Sequence, residues 1–254
     1  MTETVILKLG GSVITDKSGD CAIDHTRLRG IAADLATRRA SALVLVHGAG
    51  SCGHPEARRY HINDGLTREN VPGVYHTHAA VSRLNAAVVD ALRDAGVEAV
   101  GIHPLDLALA EGGRLASLET RHIAEMTEHG IVPVLHGDVV MDRLQGSCIV
   151  SGDQLVTRLA VALSSRRVGL ATDVPGVLQN GVVVPRIDRS VMETLDIGGS
   201  SNTDVTGGMR GKIAELLALA DAGTESHIFH VSKVGRFLDG TGHDGTTITG
   251  RGVS

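Results

Sequence analysis

Apolar residues along this chain come in two patterns. Short, nearly unbroken runs at residues 5–9, 42–46, 97–102, 131–135, 167–171 and 226–230 predict strands. Because the runs are continuous, not alternating, these strands are expected to be covered on both faces. Between them, apolar positions recur every three or four residues. That spacing predicts helices from a cap at Asp24 to about residue 39, and over 77–95, 117–129, 151–163 and 208–222. In the second helix Ala80, Val81, Leu84, Val88, Ala91 and Leu92 mark one face and Gly96 is the stop signal. Residues 139–141 and 147–150 predict a hairpin. Strands alternating with helices predict an α/β fold with a mainly parallel sheet and right-handed crossovers.

Composition narrows the function classes. The chain has 254 residues, 42% hydrophobic and 21% charged, which suits one or two folded domains and excludes wholesale disorder. A net charge of −5 argues against a basic nucleic-acid surface. Aromatics at 2%, with no Trp, argue against base-stacking platforms. The three cysteines, Cys21, Cys52 and Cys148, are scattered and odd in number, with no C-x-x-C. They predict neither a disulfide framework nor a zinc site, and point to a reducing, cytoplasmic setting. The first residues lack the pattern of a signal peptide, and no apolar run approaches 18 residues, so no membrane association is expected.

Glycine, at 32 residues, is the outlier, and its placement carries the chemistry. Gly10-Gly11-Ser12 and Gly48-Ala49-Gly50-Ser51 each follow a predicted strand, and Gly207-Gly208 precedes a predicted helix. Backbone N–H groups at such turns and helix N-termini favour phosphate. Lys8, Lys17 and Lys212 each lie beside one of these turns and would neutralise the remaining charge. The pattern is not a Walker A loop, because Ile213 follows Gly211-Lys212, and no G-x-G-x-x-G follows a strand.

Lys8-Leu9-Gly10-Gly11-Ser12 resembles the opening motif of the amino-acid-kinase superfamily. Thr172-Asp173-Val174-Pro175-Gly176-Val177 and Thr206-Gly207-Gly208-Met209 resemble its nucleotide-binding elements. Within it, His47-Gly48-Ala49-Gly50-Ser51-Cys52-Gly53-His54-Pro55, Ser151-Gly152-Asp153 and the Asp204–Met209 stretch are most similar to the isopentenyl phosphate kinase branch. Fosfomycin-type kinases have a similar histidine. The chain departs from the branch at Cys52, usually Phe, and at Gln154, often acidic.

The resemblance implies a three-layer αβα sandwich, with residues 1–164 binding the acceptor and dimerising and residues 165–254 binding ATP. It implies ATP- and Mg²⁺-dependent phosphorylation of isopentenyl phosphate in isoprenoid biosynthesis by a homodimer. Lys8 and Lys212 would hold ATP phosphates, with Leu9, Gly10, Gly11, Ser12, Gly50, Asp173 and Gly208 on the nucleotide side. Lys17 would stabilise the transferring phosphoryl group. His54 would hydrogen-bond the acceptor phosphate, with Ala49 and Gly152 lining that pocket, and Asp153 would orient the two lysines. No dense carboxylate cluster in the sequence points to a metal ligand.

Other readings stay open. A kinase of the same fold acting on another phosphate, a phosphonate such as fosfomycin, or a carboxylate is the main alternative. Ser51 in Ala49-Gly50-Ser51-Cys52-Gly53 mimics a nucleophile elbow, which would suit a hydrolase but leaves the lysines unexplained. A nucleotide sensor would have no need of all three lysines and Asp153. His76 and His78 lack a third nearby ligand and read as incidental. Val81, Leu84 or Val88 could edge an apolar substrate pocket, although such a stripe is ordinarily core.

Overall fold

A computed structural model describes residues 4–16, 21–38, 42–195 and 208–250. Its principal elements, in chain order, are β1 (Val5–Leu9), α1 (His25–Ala36), β2 (Leu43–His47), α2 (Gly50–Arg59), α3 (Pro72–Asp94), β3 (Ala99–Gly101), β4 (Ala108–Glu111), β5 (Arg114–Leu118), α4 (Arg121–Glu128), β6 (Val132–His136), β7 (Asp138–Asp142), β8 (Gly146–Val150), α5 (Gly152–Ala162), β9 (Arg167–Thr172), β10 (Arg186–Ile187), α6 (Gly208–Asp221), β11 (Glu225–His230), α7 (Val234–Leu238) and β12 (Thr246–Ile248).

Eight strands form one sheet in the order β10-β12-β11-β9-β1-β2-β6-β3. It is parallel from β11 across to β3, and β12 runs antiparallel to β11. Side chains of a strand alternate between faces, so each strand feeds two cores. Ile6, Val44, Leu135 and Leu170 pack with Leu155 and Leu159 of α5 and Leu216 of α6. Val5, Leu7, Leu45 and Val134 pack with Ile31 of α1 and Leu84 and Val88 of α3. The result is helices on both faces of a sheet whose strands read as continuous apolar runs. A smaller sheet, β8-β7-β4-β5, stands beside it.

Several predicted boundaries hold closely. The Asp24 side chain accepts from Arg27 N at 2.9 Å and starts α1. Gly96, with φ of 85°, follows α3. Other elements differ. α3 starts at Pro72, ahead of residue 77, because proline fits the first helical turn, where its missing N–H costs nothing. Leu84 and Val88 are buried under the sheet and form core, whereas Val81 is buried against α2 at Gly53.

The helix predicted from residue 117 starts at Arg121, and the β4–β5 hairpin occupies 108–118 instead. Gly112 and Gly113 turn that hairpin with φ of 61° and 80°. The Asp142 carboxylate accepts from N–H groups of Gly112, Gly113, Leu144 and Gln145, fastening the turns of both hairpins. Burial alone would raise its pKa, but those four donors pull it down to about 2.

The cysteine expectation is corrected in part. Cys21 and Cys52 form a disulfide, leaving Cys148 as a buried free thiol. Thirty-one residues of separation hide the pairing in the sequence, but the fold brings residue 21 back beside α2. Burial, together with the Asp142 carboxylate, pushes the Cys148 thiol up to about 12, which keeps it protonated.

Candidate active site

The parallel strands β1, β2, β6 and β9 all end at one rim of the sheet, where ligands of open α/β folds sit. Each strand end passes its ladder into the next loop. Gly10 N donates to Ala171 O at 2.9 Å, Gly48 N to Leu9 O at 3.0 Å, and Gly137 N to His47 O at 3.0 Å. Three glycine turns are thereby set side by side.

The first two turns are in backbone contact. A Cβ on Gly11 would collide with the backbone N and Cα of Gly50, and one on Gly48 would lie 2.7 Å from Gly11 N. Gly50 itself has φ of 54°, which favours glycine. Thr15 joins the two loops: its hydroxyl donates to Gly11 O at 2.9 Å and accepts from Ser51 N at 3.0 Å. A Cβ on Gly137 would lie 3.4 Å from Gly152 N and 3.9 Å from Ala49 N, so the two predicted acceptor-pocket amides converge on the third turn.

Lys8 explains why α5 begins where it does. It shares a strand face with Ile6, so its side chain enters the layer that holds α5. A Cβ on Gly152 would lie 2.9 Å from Lys8 Cε, so the stem fits because that position has no side chain. Beyond it, Lys8 Nζ donates to Asp153 Oδ1 at 2.6 Å, and Lys212 Nζ stands 3.7 Å from Asp153 Oδ2. Lys8 and Asp153 are each 5% exposed. The N-terminal turn of α5, capped by the Ser151 hydroxyl, favours an acid at Asp153. Residues from three distant parts of the chain therefore form one Lys–Asp–Lys group.

A cleft of about 470 Å³ opens beside it, lined by Ser151, Asp153, Gln154, Ile149, Gly211 and Glu215 among others. Gln154 Oε1 accepts from Leu115 N at 2.9 Å and ties the hairpin wall to α5, a task that an amide performs without the acid the branch often has there.

The remaining candidates are placed as follows. His54 stands half-buried on α2, beyond the glycine turn that starts that helix. Leu9 is core, and Ser12 lies in the short helical turn after Gly10. Asp173 is exposed just after β9, on the same rim, and Gly208 starts α6. Lys17 and the stretch Asp204–Gly207 lie outside the described residues. Ser51 Oγ is buried without a hydrogen-bond partner, so no base activates it among the described residues and the hydrolase reading loses its nucleophile. His78 is held by a protein partner. Its Nδ1 lies 2.9 Å from Asp138, and that hydrogen bond raises its pKa despite burial. Among the described residues, no three His, Cys, Asp or Glu side chains gather as a metal site.

The residue pattern did not single out Thr15, Asn85 or Asp138. Its one visible signal for the layer beneath the loops is the repeated His-Gly step at 47–48 and 136–137.

Fold and site define a class, and comparison with known proteins gives the family. The amino acid kinase family profile matches residues 3–230, and the chain belongs to that family. It is 42% identical to the isopentenyl phosphate kinase of Methanothermobacter thermautotrophicus, over 97% of this chain and 99% of that one. It is also 42% identical to the isopentenyl phosphate kinase of Haloferax volcanii, over 97% and 98%. An X-ray structure of isopentenyl phosphate kinase superposes with a TM-score of 0.85 at 37% identity, covering 97% of this chain and 100% of that chain.

Proposed function

We propose that the chain is an ATP-dependent kinase that phosphorylates isopentenyl phosphate, releasing isopentenyl diphosphate and ADP. The observation that carries the reading is the Lys8–Asp153–Lys212 group at the meeting point of the glycine turns. The named relatives support the choice of acceptor.

In the reaction, a nonbridging oxygen of the acceptor phosphate forms a bond to the γ-phosphorus as the bond to the ADP oxygen breaks. The acceptor is already an anion, so no strong base is required. The obstacle is repulsion between two anions, and catalysis is chiefly positioning and charge stabilisation. Asp153 keeps two ammonium groups from separating, so their charge is aimed before the substrates arrive. Lys8, Lys212 and the turn at residues 10–12 serve the ATP phosphates. Gly50 joins them there, Asp173 and Gly208 contribute from the nucleotide side, and Lys17 serves the group in flight. Ala49, Gly152 and His54 serve the acceptor phosphate. Residues 1–164 then act as the acceptor lobe and dimer contact, and residues 165–254 as the nucleotide lobe. Magnesium, which needs few protein ligands, would be held by ATP oxygens and water, because the cleft's buried acid is already paired with lysines.

A coupled ADP-release assay tests the reading across isopentenyl phosphate, dimethylallyl phosphate, UMP, fosfomycin, acetylglutamate and aspartate. Isopentenyl phosphate is expected to give the highest kcat/KM. Turnover of one of the last four with none of isopentenyl phosphate would overturn it. His54→Ala is expected to weaken transition-state binding of the acceptor by roughly 1–3 kcal/mol, the value of one charge-assisted hydrogen bond. An acceptor kcat/KM equal to wild type would remove the role given to His54.

A further inference from the structure

Behind the glycine turns lies a buried layer of imidazoles that the reaction does not use directly. His47 and His136 are neighbours in register on β2 and β6, both fully buried, with rings stacked 5.5 Å apart. Each makes the same contact with the glycine that follows it. His47 Nδ1 lies 3.0 Å from Gly48 O, and His136 Nδ1 lies 3.1 Å from Gly137 O. A carbonyl only accepts, so both Nδ1 atoms carry the proton. The opposite nitrogens are matched to that tautomer. Asn85 Nδ2, a donor, lies 3.1 Å from His47 Nε2, and the same amide donates to Val134 O at 3.0 Å. His103 Nδ1 lies 2.9 Å from His136 Nε2. Burial holds both rings neutral, lowering His47 to about 4 and His136 to about 3.

We infer that His47 and His136 are positioning residues for the acceptor phosphate, acting by holding the Gly48 and Gly137 carbonyls toward the core. This rests on the kinase reading above. In a trans peptide the N–H points opposite the C=O. A Gly48 carbonyl held by a buried ring therefore turns Ala49 N–H away from the imidazole layer, on the side where the Gly137 turn lies. Ala49 is the residue before α2, so its N–H belongs to the orphan donors of a helix start. His136 fixes the Gly137 turn on which Ala49 N and Gly152 N converge. If the Gly48 peptide flipped, a carbonyl oxygen would replace a donor where an anion must sit. The layer removes that alternative before substrate binds, which is the preorganisation phosphoryl transfer requires.

Three variants and one spectrum test this. His47→Leu removes the donor, whereas His47→Asn keeps an amide N–H at the same distance along the side chain. Both lose the bond from Asn85 to Nε2, so a merely structural role moves the two together. The expected result is that His47→Leu raises the acceptor KM about tenfold with ATP KM within about twofold, the signature of one lost binding contact. His47→Asn restores most of it, and His136→Leu repeats the split. Equal acceptor KM in His47→Leu and His47→Asn, or ATP KM rising in parallel, would overturn the assignment. Nitrogen-15 histidine spectra of the wild-type chain give an answer even where a variant fails to fold. Both rings are expected as neutral Nδ1–H tautomers, and an Nε2–H tautomer at either ends the proposal. The split is read with whichever acceptor the wild type turns over, so failure on isopentenyl phosphate is a separate result.

Discussion

Asp153→Asn is expected to lower kcat by about 100- to 1,000-fold, the size of effect seen when one preorganised electrostatic group is lost. The carboxylate lies between Lys8 at 2.6 Å and Lys212 at 3.7 Å, with almost no solvent to replace it. Neutralising it leaves two ammonium groups facing each other around an amide. Breaking a buried pair by removing one partner costs about 3–5 kcal/mol, so the denaturant midpoint should fall as well. A second reading separates the site from general damage. A non-hydrolysable ATP analogue brings phosphate charge back to the lysines, so it should stabilise Asp153→Asn by more than it stabilises wild type. Equal stabilisation, or an unchanged kcat, would contradict the role given to this acid.

Gly11→Ala is expected to be nearly as damaging for a different reason. The added methyl would occupy the place of the Gly50 backbone, and backbone cannot rotate aside as a side chain can. Overpacking of this kind costs about 1–3 kcal/mol, and here the strain falls on the two glycine turns proposed to bind phosphate. KM should rise for both ATP and acceptor, and kcat should fall. Gly30→Ala is the control. Gly30 is exposed in the middle of α1 with nothing within 4 Å of an added Cβ. Alanine there should leave kinetics unchanged and stabilise the helix by about 0.5–1 kcal/mol. Wild-type kinetics for Gly11→Ala would mean that the two turns need not touch.

The histidine layer and the Lys–Asp–Lys group differ in how visible they were. Lys8, Asp153 and Lys212 could each be read as beside a glycine turn, because turn residues and charges are local signals. That they share one carboxylate could not, since Lys8 and Asp153 are 145 positions apart. His47-Gly48 and His136-Gly137 were visible as repeated dipeptides, but their ring contacts depend on the pairing of β2 with β6. The hairpin over 108–118 went unread because its second strand, Arg114–Leu118, is mostly exposed and offers no unbroken apolar run. Asp142, from another hairpin, fastens the Gly112-Gly113 turn. The Cys21–Cys52 disulfide escaped for a similar reason: cysteine pairing follows distance in space.

By itself, then, the sequence determined the layer type, most strands and helix stops, the glycine turns and the family resemblance. All of these rest on local periodicity, glycine placement and short motifs. Tertiary structure alone decided which amides converge on Gly137 and which acid joins which lysines. The physical reason is that strand order sets these meetings. The order β9-β1-β2-β6 comes from long crossovers packing two apolar faces at once, and no single segment carries that information.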